Sequence, residues 1–343
     1  MAEIDIQLLA LNRITFLRSG DKLVLLAVQD SSREIFNLSL ADLEYILGRK
    51  LKSVLWRPDE YLEAAERDKK YLTANGIGCT FYSESSYPAQ LREIFDPPLL
   101  LYYRGMPLEL ERVFVAVVGT RRPTGRARSA AYRLGFDLAA EGITSVSGLA
   151  KGIDSELHRG SVAGGGRTIG VLGNGIDSVY PSTSNPIARQ MLLKGGTIIS
   201  EYPPGMPPRR YNFPARNRII SGLSRAVVVV QAPERSGALI TADYALEQGR
   251  DLYIHSAGLV GPSGRGSRQL FEAGATCIDG TGDMFRDWGW NSGRSAFGSI
   301  GDKAGVSHNL KEKAGTRLAR LMEMELSGEV ERNNGDFVLK RGR

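Results

Sequence analysis

From residue 113 onward, short β-branched runs alternate with helical stretches, and that alternation commits the chain to a mostly parallel sheet covered by helices on both faces. Strands are predicted at Val113–Val118, Ile143–Ser147, Thr168–Leu172, Thr197–Ser200, Ala226–Gln231 and Leu252–His255. Helices are predicted between and after them, at about 125–141, 154–164, 184–194, 215–223, 237–249 and 267–273. The unbroken aliphatic run from Ala226 to Val230 fits a central strand buried on both sides. The fold class is therefore α/β.

The flanks read differently. Residues 1–76 carry short leucine clusters separated by polar turns, which predicts a small helical domain. Asn37 or Ser39 is placed to cap one of its helices, and Asn75-Gly76 to end another. Two further short strands are expected, at Cys79–Tyr82 and Leu99–Tyr103, so the sheet domain is assigned to 77–280. Residues 281–310 are rich in glycine and serine and read as a linker. In 311–343, Leu318, Leu321, Met322 and Leu326 share a helical face, and Gly328–Lys340 reads as a hairpin turning at Asn334-Gly335. Helix plus hairpin is the second half of a winged helix, or equally a small α+β cap.

Charge narrows the function. Residues 109–280 hold 20 lysines and arginines against 14 acids, and 18 of the 20 are arginine. Arginine is the side chain suited to bidentate phosphate contact and to stacking on bases. The two cysteines, Cys79 and Cys277, have no metal-ligand spacing and fit small core positions. The acidic start MAEIDIQLLALNRITF lacks a secretion signal's pattern, and no apolar run is long enough to span a membrane. A cytoplasmic protein without metal, cofactor or membrane contact is expected.

Ligands of parallel α/β sheets sit at the carboxyl ends of the strands. The first predicted strand ends in Gly119-Thr-Arg-Arg-Pro-Thr-Gly125, and residues 119–133 contain five arginines and no acid. The second ends in Ser147-Gly-Leu-Ala-Lys-Gly-Ile-Asp154, where Asp154 is placed to cap the next helix and His158 reads as structural. After the fourth, residues 205–225 carry Arg209, Arg210, Arg216, Arg218 and Arg225, again without an acid and with Tyr211 and Phe213 interleaved. Basic groups with aromatic faces among them suit a single-stranded nucleic acid. The fifth leads to Arg235-Ser-Gly237, where Ser236 can cap a helix whose free N–H groups favour an anion.

At these residues the chain resembles the DNA-processing protein A (DprA/Smf) family. The matching strings are VAVVGTRRPTG, VSGLAKGIDSELHRG, TIGVLGNGIDSVYP, ISEYPPGMPP, NFPARNRIISGLSRAVVVVQA and RSGALITADYALEQGRDLY, with a weaker GPSGRGSRQLFEAGA. The resemblance implies an extended Rossmann-like domain that binds single-stranded DNA and forms a homodimer. It also implies transfer of incoming strands to a RecA-type recombinase in natural transformation or recombination. Carried over by motif, Gly119, Thr120 and Arg121 would hold a phosphate, and Ser147, Gly148, Lys151 and Gly152 would line the same pocket. Arg210, Phe213, Asn217 and Arg218 would complete it, with Ser236, Gly237 and Thr241 opposite. Residues 311–341 would match the end of the family's winged helix. His255-Ser-Ala257 departs from the family's usual proline-glycine.

The competing enzyme is a nucleotide-binding phosphoribohydrolase of the lysine-decarboxylase-like group. That chemistry needs a PGGxGTxxE string, and the equivalent stretch here is Ser236-Gly-Ala-Leu-Ile-Thr-Ala-Asp243. A dehydrogenase would need GxGxxG after the first strand, and that is missing too. No catalytic residue is assigned.

Overall fold

Alternating side chains bury both faces of the central strands, and helices cover each face. The computed structural model describes residues 4–29, 31–52, 55–108, 112–290, 330–333 and 336–339. Four helices come first: α1 (Ile6–Arg13), α2 (Ser19–Val28), α3 (Leu40–Leu47) and α4 (Pro58–Ala74). Strand β1 (Gly78–Phe81), the short helix α5 (Ala89–Arg92) and strand β2 (Leu100–Gly105) follow. The alternating part runs β3 (Phe114–Val118), α6 (Gly125–Ala140), β4 (Thr144–Ser147), α7 (Ile153–Ala163), β5 (Thr168–Val171), α8 (Asn185–Leu193) and β6 (Thr197–Ser200). It continues with α9 (Asn212–Leu223), β7 (Ala226–Val229), α10 (Gly237–Glu247), β8 (Asp251–His255), α11 (Arg265–Glu272), β9 (Thr276–Ile278) and α12 (Thr281–Asp287).

The strands form one nine-stranded sheet in the order β1-β2-β6-β5-β4-β3-β7-β8-β9. From β6 to β9 every pairing is parallel. β2 joins β6 antiparallel, and β1 joins β2 antiparallel. The six strands predicted from residue 113 onward are present, and β9 is a seventh. Val115 and Val117 of β3 face a core with Ala131, Leu134 and Leu157 of α6 and α7. Ala116 and Val118 face the other, with Ile219, Ile220 and Ala242 of α9 and α10. Two-sided burial explains why these strands read as continuous aliphatic runs.

One predicted boundary moves. The described residues between 4 and 76 carry α1–α4, and their core is shared with the sheet. Leu9, Leu11, Leu25, Leu43 and Leu72 share one cluster with Leu100 and Tyr102 of β2, Met191 of α8 and Ile198 of β6. The helices thus cover the antiparallel side of the sheet. Ser39 caps α3 in a capping box with Asp42. At the other end, the linker expected from 281 starts later, because Thr281–Asp287 is helical. Its Met284 and Phe285 are buried with β3 and β7, and Trp288 and Trp290 pack against the same cluster. The predicted hairpin pairs β10 (Val330–Asn333) with β11 (Asp336–Leu339), Asn333 opposite Asp336. The helix expected before it lies outside the described residues.

Helices α6 and α7 cross at backbone contact. A Cβ on Gly160 would sit 1.9 Å from the Tyr132 carbonyl, and one on Gly135 would sit 2.2 Å from the Leu157 carbonyl. Glycine is required at this crossing, which brings the loop before α7 against the loop before α6.

His158 on α7 is fully buried. Its Nδ1 lies 2.7 Å from the Thr168 hydroxyl, as a structural histidine should. Burial, helped by the Arg216 charge, pushes its pKa down to about 3. A histidine depressed in the folded state leaves the unfolded chain with more bound protons below about pH 6.5. Stability is therefore lost as pH falls from 6.5 toward 3. Over that window, wild type should lose about 1.4 kcal/mol per pH unit more than His158→Gln does. Urea titrations at several pH values read this directly, and parallel pH profiles would refute it.

Candidate nucleic-acid interface

Strand order reverses between β3 and β7, so a crevice opens at their carboxyl ends, where ligands of such sheets bind. Gln231 spans it. Its carbonyl accepts from Thr120 N at 2.7 Å, and its side-chain oxygen accepts from Thr124 N at 2.9 Å. Thr124 also caps α6. These bonds fix the Gly119–Thr124 loop with Arg121 and Arg122 exposed at its tip.

The loop after β4 is held from below. Asp154 accepts from Gly148 N at 3.1 Å and Ala150 N at 3.4 Å. The carbonyls of Gly148, Leu149 and Ala150 accept from Arg216, Ser184 and Ser155. Those bonds force Leu149 into a left-handed conformation, φ +56°. Asp154 was expected as the helix cap. Instead Gly152 occupies the N-cap position, and Asp154 organises the preceding loop. Gly152 (φ +85°, ψ −126°) lies against the neighbouring loop, and a Cβ there would meet the Thr120 carbonyl at 2.4 Å. Arg121 and Lys151 are thereby brought onto adjoining loops, both exposed. Neither makes a hydrogen bond or ion pair among the described residues.

Beneath this lip lies Arg216, which sequence reasoning left off the site. It is buried and bonds to the carbonyls of Gly148 and Val171, joining the ends of β4 and β5. Burial lowers its pKa to about 10; Asp154 opposes that shift and Arg121 adds to it. Burial raises the Asp154 pKa, against the Arg216 charge and the two loop amides. Asp154 offsets the buried Arg216 charge, so the positive field at the lip comes chiefly from the exposed Arg121 and Lys151.

The predicted residues now sort into groups. Gly119, Thr120, Arg121, Lys151 and Gly152 come together at the lip. Ser147 does not reach it: its hydroxyl is buried and donates to the Val117 carbonyl at 2.7 Å. Gly148 is beside Arg216, but its amide and carbonyl are both in use. Asn217 donates to the Gly237 carbonyl and accepts from Arg216, linking the lip to the start of α10. Ser236 caps α10 as expected, through Ala238 N. Thr241 is buried and shares the Gly237 carbonyl, so it shapes that turn without facing solvent. Phe213 is half-buried, stacked obliquely on Tyr180 at 5.6 Å and against Gly173 beyond β5. Arg210 and Tyr211 are exposed on the loop that leads into α9.

Arg218 is a correction. It is buried and binds both Glu201 oxygens at 2.7 Å, with Asp96 behind it. Arg216 and Arg218 are two residues apart on one helix and so project about 200° apart. One faces the lip, and the other is spent on carboxylates on the opposite side.

Among the described residues, no group of histidine, cysteine, aspartate and glutamate side chains could hold a metal ion. No described helix is long and apolar enough to cross a membrane. His255, where the chain departs from the resembled pattern, is buried and accepts from Ala257 N through Nδ1.

Residues 78–289 match the DNA recombination-mediator protein A family. The chain is 40% identical over 213 residues to DNA processing protein DprA of Bacillus subtilis, covering 62% of this chain and 71% of that one. The X-ray structure of DNA processing protein A from Streptococcus pneumoniae superposes with a TM-score of 0.67 at 32% identity, over 83% of this chain and 98% of that one. DNA processing protein A from Helicobacter pylori, whose structure is described for its single-stranded DNA binding mode, superposes with a TM-score of 0.55 at 28% identity. That match spans 62% of this chain and 95% of the other.

Proposed function

The chain belongs to the DNA recombination-mediator protein A family, and from that premise we propose that it is a DNA-processing protein that holds single-stranded DNA along the arginine-bearing lip of its sheet. The observation that carries this reading is the meeting of Arg121 and Lys151 at the Gly152–Thr120 contact, above the buried Arg216. Two exposed cations on adjoining loops suit a chain of phosphates, and the exposed Tyr180 and Tyr211, packed with Phe213 and Arg209, supply aromatic surface on which bases could stack. Stacking tolerates any base, so the preference is for strandedness over sequence.

The protein acts by binding, without a catalytic step. It protects incoming strands and passes them to a RecA-type recombinase during transformation or recombination, working as a homodimer in the cytoplasm. The C-terminal hairpin serves as the wing of a winged-helix segment. The binding residues are Gly119, Thr120, Arg121, Lys151 and Gly152 at the lip, with Arg210, Phe213, Asn217, Ser236 and Gly237 on the flanking loops and helix starts.

Fluorescence anisotropy with a labelled oligothymidylate, repeated across salt concentrations, tests the core of this reading. Affinity should fall steeply with salt. Arg121→Ala should weaken binding about 10- to 100-fold, the loss of a charge-assisted phosphate contact. It should also take about 0.7 from the logarithmic salt slope, with the unfolding midpoint unchanged. Salt-independent binding, or an Arg121→Ala protein that binds like wild type, would sink it.

A further inference from the structure

The loop from β6 to α9 presents Arg209, Arg210 and Tyr211, yet it has few means of holding itself. Pro203, Pro204, Pro207 and Pro208 contribute no amide. The amides of Tyr202, Gly205 and Met206 go to the Ser200 hydroxyl, the Asp177 carboxylate and the Pro203 carbonyl. The Pro203 and Arg209 carbonyls accept from Met206 N and Asn212 N, and the Met206 carbonyl from Gly175 N, whereas the Glu201 and Pro204 carbonyls take donors from the far end of the chain. Asn12 Nδ2 donates to the Glu201 carbonyl at 3.0 Å, and Arg13 Nη2 donates to the Pro204 carbonyl at 2.9 Å.

Both donors sit in the last turn of α1, and both are held in place. Arg13 is locked by a two-point pair with Asp68 of α4, at 2.5 and 2.6 Å. The Asn12 carbonyl accepts from the buried Lys22 of α2 at 2.9 Å. Three of the N-terminal helices thus converge on two loop carbonyls. Hydrophobic packing of those helices against β2 needs none of these polar groups. The bonds do something packing does not: they hold a proline-rich segment that leads into α9, the helix that carries Arg216 to the lip.

We infer that Asn12 and Arg13 are positioning residues for the DNA site, and that the N-terminal helices set the protein's affinity for single strands by holding the β6–α9 loop in its binding conformation. This rests on the lip being the DNA site. The helices touch no DNA themselves; they act through Glu201 and Pro204 on Arg209, Arg210 and Tyr211.

The test uses the full-length chain with two variants. Arg13→Met combined with Asp68→Asn removes the ion pair and the Pro204 bond while leaving net charge and side-chain volume nearly unchanged, so the helical layer stays packed. Asn12→Ala removes the second bond and leaves the Arg13–Asp68 pair in place. Trypsin cleavage after Arg209 and Arg210 reads the loop, and oligothymidylate anisotropy reads the site. Both variants should be cut several-fold faster than wild type at these two bonds. Both should bind about five- to tenfold more weakly, the worth of about one hydrogen bond, at an unchanged unfolding midpoint. Wild-type cleavage rates overturn the inference. So does faster cleavage with undiminished affinity, because the loop would then be held for some other purpose. If wild type fails to bind the oligonucleotide at all, the proposed function falls, whereas a binding wild type with unaffected variants removes the positioning role alone.

Discussion

Replacing Arg218 with alanine is expected to destabilise the protein by about 3–5 kcal/mol, the cost of stranding one member of a buried ion pair, before it alters any contact with DNA. The guanidinium ties α9 to Glu201 at the end of β6 and, through the Asp96 carbonyl at 2.8 Å, to the segment that enters β2. Burial alone would raise the Glu201 pKa. The Arg218 charge and hydrogen bonds outweigh that and hold the carboxyl below its ordinary value. A carboxyl depressed in the folded state stabilises above its unfolded pKa of about 4.3, and that contribution is lost as pH falls through the folded value. The gap between wild type and Arg218→Ala should therefore be full at pH 7 and shrink in acid. Urea unfolding at both conditions measures it. Arg218→Leu paired with Glu201→Leu should recover most of the loss, since packed apolar side chains can replace a buried pair at little cost. An Arg218→Ala protein with a wild-type midpoint and no DNA affinity would return this residue to the binding surface.

Gly152→Ala is expected to damage the lip more than removal of any one exposed charge. Its backbone lies in a region that L side chains rarely adopt, at a strain of about 1–3 kcal/mol, and the new methyl would meet the Thr120 carbonyl at 2.4 Å and the Arg121 backbone at 2.8 Å. Neither neighbour can yield freely. Thr120 is bonded to Gln231, and its carbonyl accepts from Ile153 N at the start of α7. The two loops must part, separating Arg121 from Lys151. Oligonucleotide affinity should fall more than the roughly tenfold minimum expected for losing Arg121 alone, and the unfolding midpoint should drop with it. Gly20→Ala on α2 is the control for glycine loss as such, because a Cβ there meets nothing within 4 Å. A Gly152→Ala protein with wild-type affinity would show that the two loops act independently.

How much of this was legible beforehand depended on the range of the interaction concerned. The six main strands and their helices could be read because two-sided burial writes itself into consecutive residues such as Val227, Val228 and Val229. Ser39 and Ser236 were readable as caps because a cap acts within three residues. The stretch 281–290 was misread as linker. Its ordering comes from Met284, Phe285, Trp288 and Trp290 packing on strands far earlier in the chain, which a glycine-rich composition conceals. The roles of Arg216 and Arg218 were exchanged for a reason open to inspection, since residues two apart on a predicted helix cannot face one groove.

By itself the sequence determined that the sheet is mainly parallel and that arginine gathers where its strands end, because strand period and chain direction are local properties. The tertiary structure decided which cation is free and which is bound. Arg218 meets Glu201 across 17 residues and Asp96 across 122, while Arg121 and Lys151 meet no carboxylate among the described residues. Whether a guanidinium can hold a phosphate depends on whether a carboxylate already holds it, and distant parts of the chain supply that partner only once folded.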